Sequence, residues 1–418
     1  MNAAKTNPSD TPFDVAVIGG GPTGQAMAKL AGDLGLKTAL VAPEPQGEDP
    51  RTTALLMASV RMLVASGMWE ALSPQAAPLV DMRIVDGTER LIRAPETLFK
   101  SSELGLEAFG YNIRNTALNA AFARAAAADP HLEIVKQAAS SVSVEADAAT
   151  IGLADGSSLR ARLAIGADGR RSVVREAAGI SVREWRYEQV ALVCNFRHSE
   201  PHFDTSTEIH TPSGPFTMVP LGHRVSSLVW VVTPKEAERL MALSRDDLAA
   251  EIEARGYSIL GKVEPEAEPR SFPLSGMVAR SVAGPRTALV GEAAHVFPPI
   301  GAQGLNLGLR DVAMLAELLA RRSGDPGSRE LLAEYERARR PDIMARTAAV
   351  DLLNRSLLTD FLGVQGLRGI GMYVAGRIAP LRKLLMREGV APHIGLPRLM
   401  RGLPLRPGAA RPVEIATG

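Results

Sequence analysis

The sequence predicts an α/β fold: a parallel sheet flanked by helices, an inserted antiparallel lobe, and helices at the C-terminal end. Three observations predict it. Residues 13–41 run as apolar strand, glycine-rich turn, amphipathic helix and second strand. Two later apolar runs, 159–165 and 287–291, each lead into a glycine beside an acid. Residues 187–232 hold four β-rich runs, VALVCNF, TEIHT, GPFTMVPL and VSSLVWVV, separated by turn residues.

Composition narrows the class. A chain of 418 residues is too long for one ordinary core and implies two domains, or one domain with an inserted lobe. Apolar residues at 46% and charged residues at 22% suit a globular protein. With 47 basic and 46 acidic residues and 4% aromatics, nucleic acid is not an expected partner. One cysteine, Cys194, allows neither an internal disulfide nor a thiolate metal cluster, which suits a reducing cytoplasm. Residues 1–12 lack the apolar core of a signal peptide and read as a frayed tail. No run reaches the roughly 18 apolar residues that would span a bilayer.

The elements follow in order. Residues 13–19 form a buried parallel strand. Residues 25–34 have helical spacing and stop at Gly35, and 37–41 form the next strand before Pro43 and Pro45. Residues 53–66 read as a helix ending at Gly67, and 115–128 as an Ala-rich helix. Strands are expected over 132–144, 150–153 and 159–165, with Asp155-Gly156 as a turn. Residues 81–93 are an earlier contributor to the antiparallel sheet. Residues 235–255 read as helical, 287–291 as a core strand, and 304–321 and 329–358 as long helices. There is no internal repeat, and the stretch after Gly402 reads as loose.

Gly19-Gly20-Gly21-Pro22-Thr23-Gly24 fits G-x-G-x-x-G between a strand and a helix, the context that gives the motif meaning. Gly19 permits the tight turn, Gly21 lets a pyrophosphate approach the backbone, and Gly24 lets helix pack on sheet. The helix N-terminus, with Thr23 in its first turn, offers N–H groups to phosphate. The motif alone does not separate NAD from FAD. The acid that usually closes the second strand is displaced: Ala42 stands there, and Glu44 either reaches the ribose past Pro43 or is a solvated charge. Arg51 could stand beside the adenosine or phosphates, or be an ordinary surface arginine.

The second motif, GADGRRS, delivers Asp168 and Gly169 to the edge where open α/β sheets bind cofactors; alone, it would read as a plain turn. In the third, Gly291 and Glu292 end a strand, and Pro298, Gly301, Ala302, Gln303, Gly304, Leu305 and Asn306 make a glycine-rich turn into a helix. Glu292 is placed for ribityl hydroxyls. The N–H groups from Gly301 to Asn306 suit the N1–C2=O edge of a flavin, which becomes negative on reduction. The expectation is that three distant segments converge on one FAD.

Together these segments resemble the group A flavin monooxygenases of the para-hydroxybenzoate hydroxylase type, over residues 13 to about 358. The third segment, GEAAHVFPPIGAQGLNLGLRD, is the most specific match, although Glu292 stands where the family usually has aspartate. DPRTTALL, FGYNIRN, GPFTMVPL and LRKLLMREG make the ubiquinone-biosynthesis hydroxylases the most similar branch. The resemblance implies a Rossmann-like FAD-binding domain with an inserted antiparallel-sheet substrate domain and C-terminal helices. Its FAD-binding parts would be 1–80, 111–184 and 276–358, its substrate parts 81–110 and 185–275, and its C-terminal helical region and tail 359–418. It implies noncovalent FAD, transient reduction by NAD(P)H, and hydroxylation of a polyprenylated phenol with O2 through a C4a-hydroperoxyflavin. Arg114 falls where the family often has a polar cofactor contact. The absence of a second G-x-G-x-x-G after a strand agrees with a visiting nicotinamide. His210, His223, His295 and Tyr187 are acid–base candidates by type only, so no catalytic residue is assigned.

From Leu367 onward nine basic residues face two acids, with apolar residues interleaved. This pattern suits either a helix at an anionic membrane surface or a packed helix with a solvated basic face. It leads to the expectation of a cytoplasmic protein, peripheral on the inner face of the membrane, with partners in a ubiquinone-biosynthesis complex. Two other readings stand beside this one: a hydroxylase of small soluble phenols or benzoates, and a non-catalytic flavin-binding scaffold. A benzoate would require an arginine clamp, a prenyl tail an apolar tunnel.

Overall fold

The structure, a computed structural model, describes residues 12–44, 47, 49–88, 95–299, 301–321, 324–358, 382–384, 386–387 and 395–406. The loose tails read from the sequence lie outside this range, except residues 12 and 403–406.

The chain opens with β1 (Phe13–Ile18), α1 (Pro22–Asp33) and β2 (Thr38–Val41). It then makes β3 (Thr52–Leu56), α2 (Met57–Ala65), β4 (Ala77–Pro78), β5 (Asp81–Asp86), β6 (Thr97–Lys100) and β7 (Gly110–Arg114). Next come α3 (Asn115–Ala127), β8 (Leu132–Val135), β9 (Ala139–Val144), β10 (Ala149–Leu153), β11 (Ser158–Gly166) and α4 (Val173–Ala177). The middle is β12 (Val182–His198), β13 (Thr205–Thr211), β14 (Gly214–Gly222), β15 (Val225–Val232), α5 (Pro234–Met241), α6 (Arg245–Arg255), β16 (Val263–Pro265) and β17 (Arg270–Ala279). The last part is β18 (Ala283–Gly284), β19 (Thr287–Leu289), β20 (His295–Val296), α7 (Gln303–Arg321) and α8 (Arg329–Leu358).

The first sheet has the order β18-β19-β11-β1-β2-β8. β1 lies parallel to both β2 and β11, and β11 parallel to β19. Val15, Ala16, Val17, Leu163, Ala164 and Ile165 are fully buried, which is why these stretches of β1 and β11 are purely apolar. The register decides the site: Ile18 pairs with Gly166, and Gly166 with Leu289. The turns that carry the three motifs therefore leave side by side from one edge.

The second sheet runs β20-β17-β12-β15-β14-β13-β5-β6. One face is covered by α5 and α6 around Phe196, Phe216 and Trp230, whose last two rings meet edge-on at 5.1 Å. The long strands β12 and β17 carry chain between the two sheets, and β17 pairs with β20 of the third motif. A small sheet, β3-β7-β4, sits between them.

Several readings change: the run expected as one strand over 132–144 is two, Leu132–Val135 beside β2 and Ala139–Val144 beside β10. Residues 53–66 are not one helix, because Thr52–Leu56 pairs with Gly110–Arg114 and only Met57–Ala65 is helical. Composition favoured helix, and a distant partner strand overrides it. The 235–255 helix is two helices, with Ser244 capping the second through the Asp247 N–H. Strand β17 was not read at all.

Near the C-terminus, Met386, Leu399 and Met400 are buried in the first core. Arg398 N donates to the Glu317 carboxylate at 2.7 Å, and Arg382 is bonded to Glu103 at 2.6 Å. These parts of the basic region are docked on the fold; most of the remainder lies outside the described residues.

Candidate functional site

The three motif segments touch. A Cβ on Gly19, whose φ is +119°, or on Gly24 would run into backbone: the Ala167 carbonyl in the first case, the Gly19 carbonyl in the second. Gly19 thus admits the second segment and Gly24 closes helix onto turn. A Cβ on Gly291 would stand 3.1 Å from the Thr23 side chain, so Thr23 is where the first segment meets the third. Buried Arg175 ties the second to the third, donating to the carbonyls of Arg170 at 2.6 Å and Ala293 at 2.8 Å.

Other glycines face open space. A Cβ on Gly21, Gly169 or Gly304 would meet no protein atom within 4 Å. Gly21 is the N-cap of α1 and carries no side-chain cap, so the first-turn N–H groups have no side-chain acceptor. Helix α7 begins at Gln303 with a half-exposed turn at Gly301 and Ala302 before it. Two helix N-termini and three unfilled glycine positions, one from each segment, form a cradle with donors for the phosphates and ring edge of a dinucleotide. FAD fits these residues.

The polar residues divide by how their bonding capacity is used. Asn306 is buried, and every bond it can make is internal. Its Oδ1 accepts from Leu56 N at 2.8 Å and Ser59 Oγ at 2.7 Å; its Nδ2 donates to Ala54 O at 2.8 Å and Ala302 O at 2.6 Å. Its side chain bolts α7 to the β3–α2 junction. Asp168 Oδ2 accepts from Val173 N at 2.8 Å, so it caps α4, while Oδ1 is buried without a partner. Burial pushes the Asp168 carboxyl above its ordinary value, against its hydrogen bonds. Glu292 is exposed, with Arg170 at 3.8 Å, and is free to turn toward a ligand.

Glu44 is exposed and paired with Lys136 at 2.9 Å; that hydrogen bond holds its carboxyl low. Ala42 stands 2.7 Å from where a Gly20 Cβ would be, so a small side chain is needed at that strand end. Arg51 makes two 2.8 Å bonds to Asp49 and lies over the Phe272 ring at 5.2 Å. Arg114 pairs with Glu266 at 2.8 Å. Pro298 is buried, Leu305 half-buried, and Ala302 takes a left-handed φ of +53° at the start of α7.

The second sheet turns its other face to this cradle. Thr52 Oγ1 donates to Ser227 Oγ at 3.0 Å, Asn195 Nδ2 to Pro50 O at 3.1 Å, and Arg51 covers Phe272. On that face Val193 pairs with Val229, Val229 with Thr217, and Val219 with Ser227. Val193, Thr217, Val219 and Val229 are half-buried, an uncharged floor. Arg270 flanks it beside Val193, and Glu208 beside Thr217.

The four acid–base candidates have different surroundings. His295 is buried with Nε2 2.7 Å from Asp311, a structural partner of its turn. His223 is exposed on a hairpin. His210 Nε2 meets Glu208 at 2.8 Å on the sheet face turned to the cradle. Tyr187 accepts from Trp185 Nε1 at 2.6 Å and donates to Asp351 at 2.7 Å.

Sequence reasoning missed the buried charges behind the third segment. Asp311 is fully buried. Burial would raise its carboxyl, but His295 and Arg339 beside it hold it below its ordinary value. Burial likewise pushes Arg310 down to about 10 despite Asp342 beside it. The signal was present in the spacing: Tyr335, Arg339, Asp342 and Arg346 lie 4, 3 and 4 apart, one stripe of α8.

The comparisons with known proteins agree with this geometry. Residues 12–350 match the family model described as FAD binding domain. Ubiquinone hydroxylase UbiL of Rhodospirillum rubrum is 37% identical over 413 residues, covering 96% of this chain and 95% of that protein. The 3-demethoxyubiquinol 3-hydroxylase of Escherichia coli is 31% identical over 390 residues, covering 91% and 98%. Among solved structures, p-nitrophenol 4-monooxygenase PnpA of Pseudomonas putida DLL-E4 superposes with a TM-score of 0.74 at 19% identity, covering 91% and 98%. The Diels-Alderase PyrE3 of pyrroindomycin biosynthesis does so at 0.70 and 20%, covering 96% and 82%. These two show the fold alone, and their different reactions show that fold does not choose chemistry. On the family match and the full-length relatives, the chain belongs to the FAD binding domain family and is an FAD-dependent monooxygenase.

Proposed function

We propose that this enzyme hydroxylates the aromatic ring of a polyprenylated phenol on the route to ubiquinone, with O2 as oxidant and NAD(P)H as reductant. The observation that carries the reading is the uncharged floor of Val193, Thr217, Val219 and Val229 facing the cofactor cradle. A small benzoate would call for a cation at that floor. Arg51 and Arg114 are instead each engaged by a carboxylate, and Arg270 is exposed. The full-length relatives named for ubiquinone hydroxylation support the same substrate class.

The bound flavin supplies two-electron redox chemistry and the activation of oxygen. The chain supplies position and charge. The N-termini of α1 and α7 orient the cofactor through backbone donors. Glu292, exposed beside Arg170, is the acceptor assigned to the ribityl hydroxyls. The valine floor holds an apolar ring and tail and excludes water from them. The Glu208–His210 pair at the edge of that floor is a group of the right type to take a phenolic proton.

Deleting the gene in its host and identifying the accumulated quinone precursor by mass spectrometry tests the reading. A prenylated phenol lacking one hydroxyl is expected; unchanged ubiquinone with no precursor would sink it. No helix among the described residues is long and apolar enough to cross a membrane. Delivery of so apolar a substrate favours peripheral attachment at the inner face through the basic residues beyond Leu367. Anionic liposomes should then capture the full chain better than one truncated before Leu367, and equal capture would rule that out.

A further inference from the structure

One chain of charged side chains connects the two halves of the third motif. At one end Asp311 accepts from Gly291 N at 3.0 Å, His295 Nε2 at 2.7 Å and Arg339 Nε at 2.8 Å. Arg339 Nη1 donates to Asp342 at 2.7 Å, and Asp342 also takes Arg310 at 2.9 Å and Arg346 Nε at 3.0 Å. At the other end Arg346 Nη1 donates to Gln303 Oε1 at 2.8 Å, and Gln303 Nε2 donates to the Gly301 carbonyl at 2.9 Å. The chain starts at the turn against Thr23 and ends at the turn that opens α7. Three guanidiniums (310, 339, 346) against two carboxylates (311, 342) leave one net positive charge. Arg346, the member nearest Gln303, is the guanidinium bonded to only one of those carboxylates and to a neutral amide.

We propose that Arg346 is a positioning residue for the flavin. It fixes Gln303, and through it the Gly301 carbonyl, so that the first-turn N–H groups of α7 point at the ring edge that gains negative charge on reduction. Its own charge adds to the positive end of the α7 dipole at the same place. Both effects favour the reduced cofactor. Nothing in residue type marks this role: Arg346 lies deep in α8, far in sequence from every motif, and touches the cradle only through Gln303. The proposal rests on the reading that the α7 N-terminus seats the flavin ring.

The test is a double-mutant cycle on the FAD-loaded full chain, read as the two-electron midpoint potential and the FAD dissociation constant. Arg346→Met should lower the potential by roughly 30 mV, a tenfold loss of preference for the reduced form. Arg346→Lys should recover part of it, since the charge returns without the planar fork. In a Gln303→Ala background, Arg346→Met should do much less, because the link is already cut. Thermal unfolding of the apoprotein monitors the fold, and Arg346 is partly solvent-accessible, so loss of folding is not the expected outcome. Gly304→Val tests the seat itself, because a side chain there meets no protein atom near its Cβ. If Gly304→Val shifts the potential and Arg346→Met does not, the positioning role is wrong and the seat stands. If neither shifts it, the seat is wrong and the proposal falls with it. Additive effects of Arg346→Met and Gln303→Ala would refute the route through Gln303.

Discussion

Truncating Asn306 to alanine separates a ligand from a bolt. The sequence reading offered the backbone N–H of Asn306 to the cofactor; its side chain is spent on four internal bonds between 2.6 and 2.8 Å. Asn306→Ala leaves the Leu56 N–H and the carbonyls of Ala54 and Ala302 without that partner, in a position only 6% exposed. At about 1 kcal/mol per lost bond the gross effect is roughly 4 kcal/mol. Water entering the space and a Ser59 hydroxyl free to rotate recover part of this, so a loss of about 2–4 kcal/mol is expected. The assay is urea unfolding of the apoprotein, where a shifted midpoint at constant slope reports stability alone. A pure ligand would behave differently: apoprotein stability would move by less than about 0.5 kcal/mol, and only the stabilisation conferred by added FAD would shrink. An apoprotein loss below about 1 kcal/mol would therefore refute the bolt. Asn306→Asp sharpens the result, because it keeps the acceptor for Leu56 and Ser59 but turns a carboxylate toward two carbonyls.

The glycines of the first motif should part in the same way. Gly21→Val should fold normally, since its φ of −71° suits any residue and its Cβ meets nothing, yet FAD affinity should fall more than about tenfold, or 1.4 kcal/mol. Gly24→Ala should instead lower apoprotein stability, seen as a reduced unfolding temperature, because its Cβ runs into the Gly19 carbonyl. Glu292→Ala should weaken FAD by about 1–3 kcal/mol in a fluorescence titration if the carboxylate holds buried ligand hydroxyls, with apoprotein stability unchanged; an unaltered dissociation constant would remove it from the site. Asp342 lies among Arg339, Arg310 and Arg346, which overcome its burial and hold its carboxyl well below its ordinary value of 3.8. Its stabilising contribution is fully present above that value and lost as pH falls through the lower folded value. Stability measured against pH should fall below about pH 4, and Asp342→Asn should flatten that limb.

The parts of the fold legible in the sequence were those set by local chemistry. A strand of Val and Ile ending in glycine and opening a helix is specified within about twenty residues, which is how the first motif was found, and the other two gained meaning beside it. What failed depended on partners elsewhere. Thr52–Leu56 is a strand only because Gly110–Arg114 lies beside it. At the turns themselves residue type told less than position. Asp168 and Glu292 share one sequence rationale, an acid just beyond a strand end, while Asn306 was read for its backbone N–H at the start of a helix. In the structure Asp168 caps a helix, Asn306 ties two elements, and Glu292 alone is exposed and unbonded save for a distant arginine. Residue type cannot report whether hydrogen-bonding capacity is already used; only the list of neighbours does.

That distinction also explains how three segments so far apart in sequence can build one site. The pairing of Ile18 with Gly166 and of Gly166 with Leu289 places three turns at one height on the sheet edge. Register alone brings them together but does not hold them there, since each turn is rich in glycine and entropically costly to fix. The fixing is done from behind, by side chains that never face the cradle: Arg175 between the second and third turns, Asp311 on the third, Asn306 at the start of α7. Because these groups hold the turns from the protein side, the open glycine positions of the cradle stay unfilled by protein. Truncating any of these three buried side chains should thus act first on stability and only then on flavin, and a change at Gly21 or Glu292 on flavin alone.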